Sequence, residues 1–265
     1  MDRERSIIVR ITLLAVLAVG LTGCYDPEPR PRITGEQRRL DLPPARTPPP
    51  RQRVVGRSVQ GRPIRVQIVG QGPETILIMA TIHGNEPAGT PLVSRLVDHL
   101  QDHPHLLEGR QVVVMPVANP DGLAANTREN ARGIDLNRNF ETTNRVDNEN
   151  HGLRPLTEPE SQILQAIIKE YAPNRIVSIH QPLDCIDYDG PGQAIAARMA
   201  QNCDLPVKKL GARPGSLGSY TGDTLGIPTI TLELPAAATK QSEAVLWQKY
   251  GRALLAAIVY PQLLP

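Results

Sequence analysis

A histidine and a glutamate separated by two residues, in Thr81-Ile82-His83-Gly84-Asn85-Glu86-Pro87, are the first residues of this chain that could do chemistry together. A loop that turns both side chains one way would offer an imidazole nitrogen and a carboxylate oxygen, donors that suit zinc. A carboxylate in the first turn of a helix also stabilises that turn, so the pair alone fits either role. A second histidine closes Ser178-Ile179-His180 at the end of an apolar run. Alone, it also reads as a satisfied polar residue. Glu233, in Thr231-Leu232-Glu233-Leu234-Pro235, interrupts another apolar run, and alternation turns it away from its leucine neighbours. A carboxylate there is costly unless it is paired, functional or reaching solvent at an edge.

The densest polar stretch lies between these points. Asn119-Pro120-Asp121-Gly122 reads as a turn. Arg128 follows, then Arg132-Gly133-Ile134-Asp135-Leu136-Asn137-Arg138-Asn139-Phe140. Guanidinium forks suit carboxylates and a developing oxyanion, although a solvated loop has the same composition.

The elements that must position these residues alternate in type. Ile64–Val69, Thr75–Ala80, Gln111–Val117, Arg175–His180 and Pro228–Leu234 read as strands. Helical spacing covers Pro87 to about His99, Gly192–Gln201 and Ser242–Val259. Thr157-Glu158-Pro159-Glu160 has the form of a capping box opening a helix to about Tyr171. Near-continuous apolar strands alternating with helices imply an α/β fold: a single domain with a mixed, mostly parallel twisted sheet and helices on both faces. Sites in such sheets lie beyond the strand ends, which is where the candidate residues fall.

The flanks and composition set limits. Ile11–Leu21 is apolar, follows Arg3, Glu4 and Arg10, and is short for a membrane span, as in a signal-peptide core. It ends in Leu21-Thr22-Gly23-Cys24, which resembles a lipobox whose cysteine is lipidated. Residues 1–24 are therefore expected to be a lipoprotein signal, 25–52 a Pro/Arg-rich tether and 53–265 the catalytic domain. Tyr25 after the cysteine favours the outer membrane, on its periplasmic face. Aromatics make up 3% of the chain, so aliphatic side chains must fill the core. A net charge of +2 gives no field for nucleic acid. Cys185 and Cys203 fit a disulfide or two thiols.

The ordered set of HxxE, NPDG, arginine, DLNRNF, SxH and a late glutamate resembles the M14 metallocarboxypeptidases, from about Val54 to the end of the chain. Gly56–Ile64, His83–Glu86 and Thr231–Pro235 resemble the compact murein peptide amidase branch. The resemblance implies one zinc ion, with His83, Glu86 and His180 as ligands and Glu233 as the base. It implies that Asp135 orients His83, that Asn137 and Arg138 grip the substrate carboxylate, and that Arg128 polarises the scissile carbonyl, with Arg132 as competitor. It also implies a peptide or muropeptide substrate cut between γ-D-glutamate and diaminopimelate. Digestive carboxypeptidases carry a mobile tyrosine about twenty residues before the base; Lys209–Pro214 has none. Tyr220 is nearer and could line the pocket or pack inside. Two alternatives remain: an N-acyl amino acid deacylase of the succinylglutamate desuccinylase and aspartoacylase kind, and a non-catalytic cell-wall-binding lipoprotein.

Overall fold

The computed structural model describes residues 49–264. The expected signal segment, Cys24 and nearly all of the expected tether lie outside them.

Seven strands form one sheet in the order β1-β2-β4-β3-β5-β7-β6. They are β1 (Arg51–Arg57), β2 (Pro63–Gly70), β3 (Glu74–Ala80), β4 (Arg110–Met115), β5 (Arg175–His180), β6 (Leu183–Asp189) and β7 (Thr229–Pro235). The helices are α1 (Gly89–Asp102), α2 (Pro120–Ala125), α3 (Pro159–Tyr171), α4 (Gln193–Ala200) and α5 (Glu243–Val259). The α/β class, the mixed sheet and the cover on both faces agree with expectation. The four central strands β4, β3, β5 and β7 are parallel, and β1, β2 and β6 pair antiparallel around them. Half of the six ladders are thus antiparallel, a larger share than the apolar runs suggested.

Burial explains the sequence texture. Strand β3, Glu-Thr-Ile-Leu-Ile-Met-Ala, is buried at every position after Glu74, because both faces are covered. On one face Ile76 and Ile78 pack with Leu92 and Leu96 of α1 and Leu254 and Ile258 of α5. On the other, Leu77 and Met79 join Leu164, Ile167 and Ile168 of α3, with Phe140 and Tyr220. Phe140 is the chain's single phenylalanine and is fully buried.

Several local expectations are corrected. The first strand begins at Arg51, inside the stretch expected as tether. Thr157 does not cap α3: Glu158 occupies the N-cap position without a side-chain bond, and Pro159 needs no N–H partner. The Glu160 carboxylate instead accepts from the Val59 N–H and Asn130 Nδ2. Asn119-Pro120-Asp121-Gly122 is more than a turn: Asn119 Oδ1 accepts from Gly122 N and opens α2. Strand β6 was not foreseen, because its acidic residues obscure the pattern. Cys185 and Cys203 are free thiols.

Candidate metal centre and cleft

The parallel strands deliver the candidate residues to one rim of the sheet. Beyond β3, Thr81 takes a left-handed conformation (φ 55°) and the chain turns into the His83–Glu86 loop. That loop is clamped to the one following β4: Asn119 N donates to Thr81 O at 2.9 Å and Asn119 Nδ2 to Ile82 O at 3.3 Å. The approach is close enough to require Gly84, since a Cβ there would sit 1.9 Å from the Gly122 carbonyl carbon. His180 ends β5, and the parallel register sets Glu233 of β7 beside it.

His83, Glu86 and His180 are buried, and one potential ligand atom from each lies within 4.8 Å of the others. His83 Nδ1 is 2.9 Å from Glu86 Oε1 and 3.2 Å from His180 Nδ1, and His180 Nδ1 is 2.9 Å from Glu86 Oε2. Three lone-pair donors facing one another are unfavourable unless a proton or a cation lies among them. Two imidazoles and a carboxylate at this spacing fit zinc. Burial alone would lower the His83 pKa, but the Asp135 and Glu86 carboxylates hold it above the ordinary value. Burial would raise both carboxylates, yet the histidines depress Glu86, and His83 with Arg128 and Arg138 depresses Asp135, well below the usual range.

Asp135 stands behind His83. Its Oδ1 is 3.1 Å from His83 Nε2, and Arg128 Nε donates to its Oδ2 at 2.9 Å. Arg128 Nη1 reaches Glu86 Oε1 at 3.2 Å. Arg132 lies elsewhere: it does not line the cleft, is exposed and pairs with Glu158 at 3.5 Å. Of the two competing arginines, Arg128 is therefore the one at the metal end. Glu233 lines the same cleft and is buried. Burial pushes its pKa up and neighbouring Glu86 adds to the rise, against the opposing pull of His180 and of the Leu183 N–H.

The cleft, about 470 Å³, continues from the metal end to Asn137 and Arg138. Asn137 Oδ1 accepts from Leu217 N at 2.8 Å, which leaves the amide NH2 as its donor. Arg138 Nη1 donates to Asn137 O at 2.6 Å, and no carboxylate pairs with Arg138 among the described residues. Burial lowers its pKa, and the charges of Arg128 and Arg213 reinforce this against Asp135.

Tyr220 is corrected. It does not line the cleft but is buried and stacked on Phe140, with ring centroids 5.5 Å apart at 14°. Packing, the other reading its sequence allowed, is the one it takes. Sequence reasoning missed Asp187, Asp189, Leu210, Arg213 and Gly218, which line the cleft from β6 and the segment before β7. The same-face spacing of Asp187 and Asp189 was the available signal.

The chain matches the zinc carboxypeptidase family over residues 46–238 and belongs to it. It is a hydrolase of peptide bonds of the metallocarboxypeptidase type. Murein peptide amidase A of Escherichia coli strain K12 is 33% identical over 213 residues, spanning 73% of this chain and 85% of that protein. Mouse carboxypeptidase M is 35% identical over 109 residues, 32% of this chain and 25% of the relative. A solved murein-tripeptide amidase from Escherichia coli O157 superposes with a TM-score of 0.65 at 28% identity, covering 82% of this chain and 98% of its own. Carboxypeptidase A from Helicoverpa armigera, at 21% identity and a TM-score of 0.68 over 80% of this chain and 69% of its own, shares the fold.

Proposed function

We propose that this protein is a zinc-dependent amidase that cleaves murein peptides between γ-D-glutamate and diaminopimelate. In this reading His83, Glu86 and His180 hold zinc and Glu233 is the general base. The observation that carries it is the convergence of the three ligands and Glu233 in a cleft that also holds Arg138, a partly buried guanidinium with no carboxylate partner among the described residues. Similarity to murein peptide amidase A over most of both chains supports the substrate class.

Zinc, when bound, supplies Lewis acidity that brings the pKa of water to about 7 and stabilises negative charge. The rest is the work of the chain. Asp135 accepts from His83 Nε2–H, which fixes the tautomer and leaves Nδ1 for the ion. Glu233 takes the proton of the attacking water and returns it to the leaving amine; a carboxylate with a raised pKa suits both transfers. Arg128, fastened by Asp135 and Glu86, keeps Nη2 for the developing oxyanion. Asn137 and Arg138 hold the substrate carboxylate and so orient the amide.

The test is incubation of zinc-loaded protein with γ-D-glutamyl-diaminopimelate peptides, ordinary C-terminal peptides and N-acyl amino acids, read by mass spectrometry. Release of diaminopimelate is the expected result. Turnover of N-acyl amino acids alone would replace the reading with a deacylase. Retained zinc without any turnover would replace it with a binding protein.

Location rests on sequence alone. A lipid on Cys24 and the Pro/Arg-rich tether would hold the domain beside murein, at the periplasmic face of the outer membrane. Cys24→Ser is expected to move the protein from the membrane fraction to the soluble one. Lipid labelling that survives the substitution would overturn the anchor. No helix among the described residues is long and apolar enough to cross a membrane.

A further inference from the structure

The cleft carries more charge than the proposed chemistry uses. Strand β6 turns Cys185, Asp187 and Asp189 to one face, and its register sets Cys185 opposite Glu233 and Asp187 opposite Thr231. Asp187 thus lies one same-face step from the row of the base, about 7 Å along the strand. Asp187 and Asp189 are both buried and both line the cleft. They differ in their partners. Asp189 is paired with Lys209 Nζ at 3.0 Å. Asp187 Oδ1 accepts from Leu210 N at 2.9 Å, and no cation pairs with Asp187 among the described residues.

On the opposite sign, Arg138 and Arg213 line the same cleft, and neither pairs with a carboxylate among the described residues. Setting aside the metal end and the Asp189–Lys209 pair, two guanidinium groups and one carboxylate remain. Asp187 is buried and Arg138 partly so, and a charge drawn out of water is costly until a ligand of opposite sign pairs it. Arg213 instead stands exposed at the mouth, with its donors free for an anionic group. The complementary ligand pattern is two carboxylates and one ammonium. Arg138 takes the main-chain carboxylate of the released residue in the reaction proposed above. One carboxylate and one ammonium are left for its side chain.

We infer that Arg213 and Asp187 form an amphoteric subsite selecting a released residue whose side chain ends in both a carboxylate and an ammonium. This deepens the amidase reading and rests on it. Arg213 reads the side-chain carboxylate and Asp187 the ammonium, so a lysine or a 2-aminopimelate in the same position satisfies only one of them.

The test uses three γ-D-glutamyl peptides that differ only in the last residue: diaminopimelate, lysine or 2-aminopimelate. With zinc-loaded full chain, kcat/KM is expected to favour diaminopimelate over each of the others by about 10- to 100-fold, the scale of one charged hydrogen-bonded contact. Arg213→Gln should collapse the diaminopimelate-to-lysine ratio, with the change falling on KM. Asp187→Asn should collapse the diaminopimelate-to-2-aminopimelate ratio. Arg132→Gln, on an exposed arginine outside the cleft, should preserve both ratios. Arg213 is exposed, so its variant is a test even if Asp187→Asn folds poorly. Equal cleavage of all three peptides by the wild type, or ratios that survive Arg213→Gln, would overturn the subsite and leave the amidase standing. Cleavage of none of them by the wild type would overturn the amidase reading and the subsite with it.

Discussion

The two ends of the cleft are built by different means. At the metal end, His180 ends β5, His83 follows β3 and Glu233 lies in β7, three neighbouring parallel strands of the central sheet. At the other end, Arg138, Arg213 and Gly218 stand on segments outside the sheet. A few bonds hold them: Phe140 N to Gly215 O at 3.0 Å, Leu217 N to Asn137 Oδ1 at 2.8 Å, and the Arg145 guanidinium to Arg138 O. Packed strands hold reactive atoms to a narrow geometry, whereas loops can change composition without disturbing the core. The difference assigns bond cleavage to the parallel centre of the sheet, and choice of substrate to the loops together with the antiparallel edge strand β6 that carries Asp187. Substitutions at the first end should therefore act on turnover or metal, and those at the second on KM.

Glu233→Gln is the severest test of that division. It keeps shape and burial but removes the base, so kcat should fall by about 10²- to 10⁴-fold while zinc content, read by atomic absorption, is retained. Undiminished turnover would take Glu233 out of the mechanism. Asp135→Asn acts one step back, through His83. Zinc affinity, measured against a competing chelator, should drop about 10- to 100-fold. An unchanged affinity would mean that Asp135 serves Arg128 alone.

At the loop end, Arg138→Gln should raise KM by about tenfold or more for peptides with a free terminal carboxylate. Peptides capped as amides should show little difference between wild type and variant. A fall in kcat for both kinds of peptide would break the comparison, because Arg138 would then serve the chemistry directly.

The same division governs what could be read from the sequence. His83, Glu86, His180 and Glu233 sit in or just beyond strongly apolar strands, so each stands out against its background and its position in the sheet follows. Their convergence depends on strand order, which one-dimensional spacing does not give; the ordered motifs supplied it by resemblance. Asp187 and Arg213 carry no such contrast. Strand β6 is Leu-Asp-Cys-Ile-Asp-Tyr-Asp, whose acidic residues look like loop until Glu233 is found opposite Cys185. Tyr220 shows the converse limit: an aromatic near the base invites a role in the pocket, while scarcity of aromatics made it more valuable against Phe140 in the core. The Thr157 cap failed because Glu160, its supposed partner, is committed to Val59 and Asn130 in tertiary structure.

The smallest expected effect concerns the support beneath the metal end rather than the site itself. Asp121, buried at the start of α2, accepts from the Ser58 hydroxyl at 2.7 Å, Gln60 N at 2.9 Å and Arg62 Nη1 at 2.7 Å. It thereby ties the β1–β2 turn to the segment against which Gly84 packs. Burial alone would raise its pKa, but these three donors hold the carboxyl below its ordinary value. A folded-state pKa below the unfolded one means that its stabilisation is fully present above about pH 4 and is lost as pH falls through the folded value. Asp121→Asn should therefore cost about 1–3 kcal/mol in urea unfolding at neutral pH. The gap to wild type should close in acid, as the wild-type carboxylate is protonated. KM should stay within about twofold, because Asp121 touches neither end of the cleft. A gap that persisted undiminished in acid would assign the effect to packing rather than charge. A large shift in KM would show that the sheet end and the loop end are coupled through this turn.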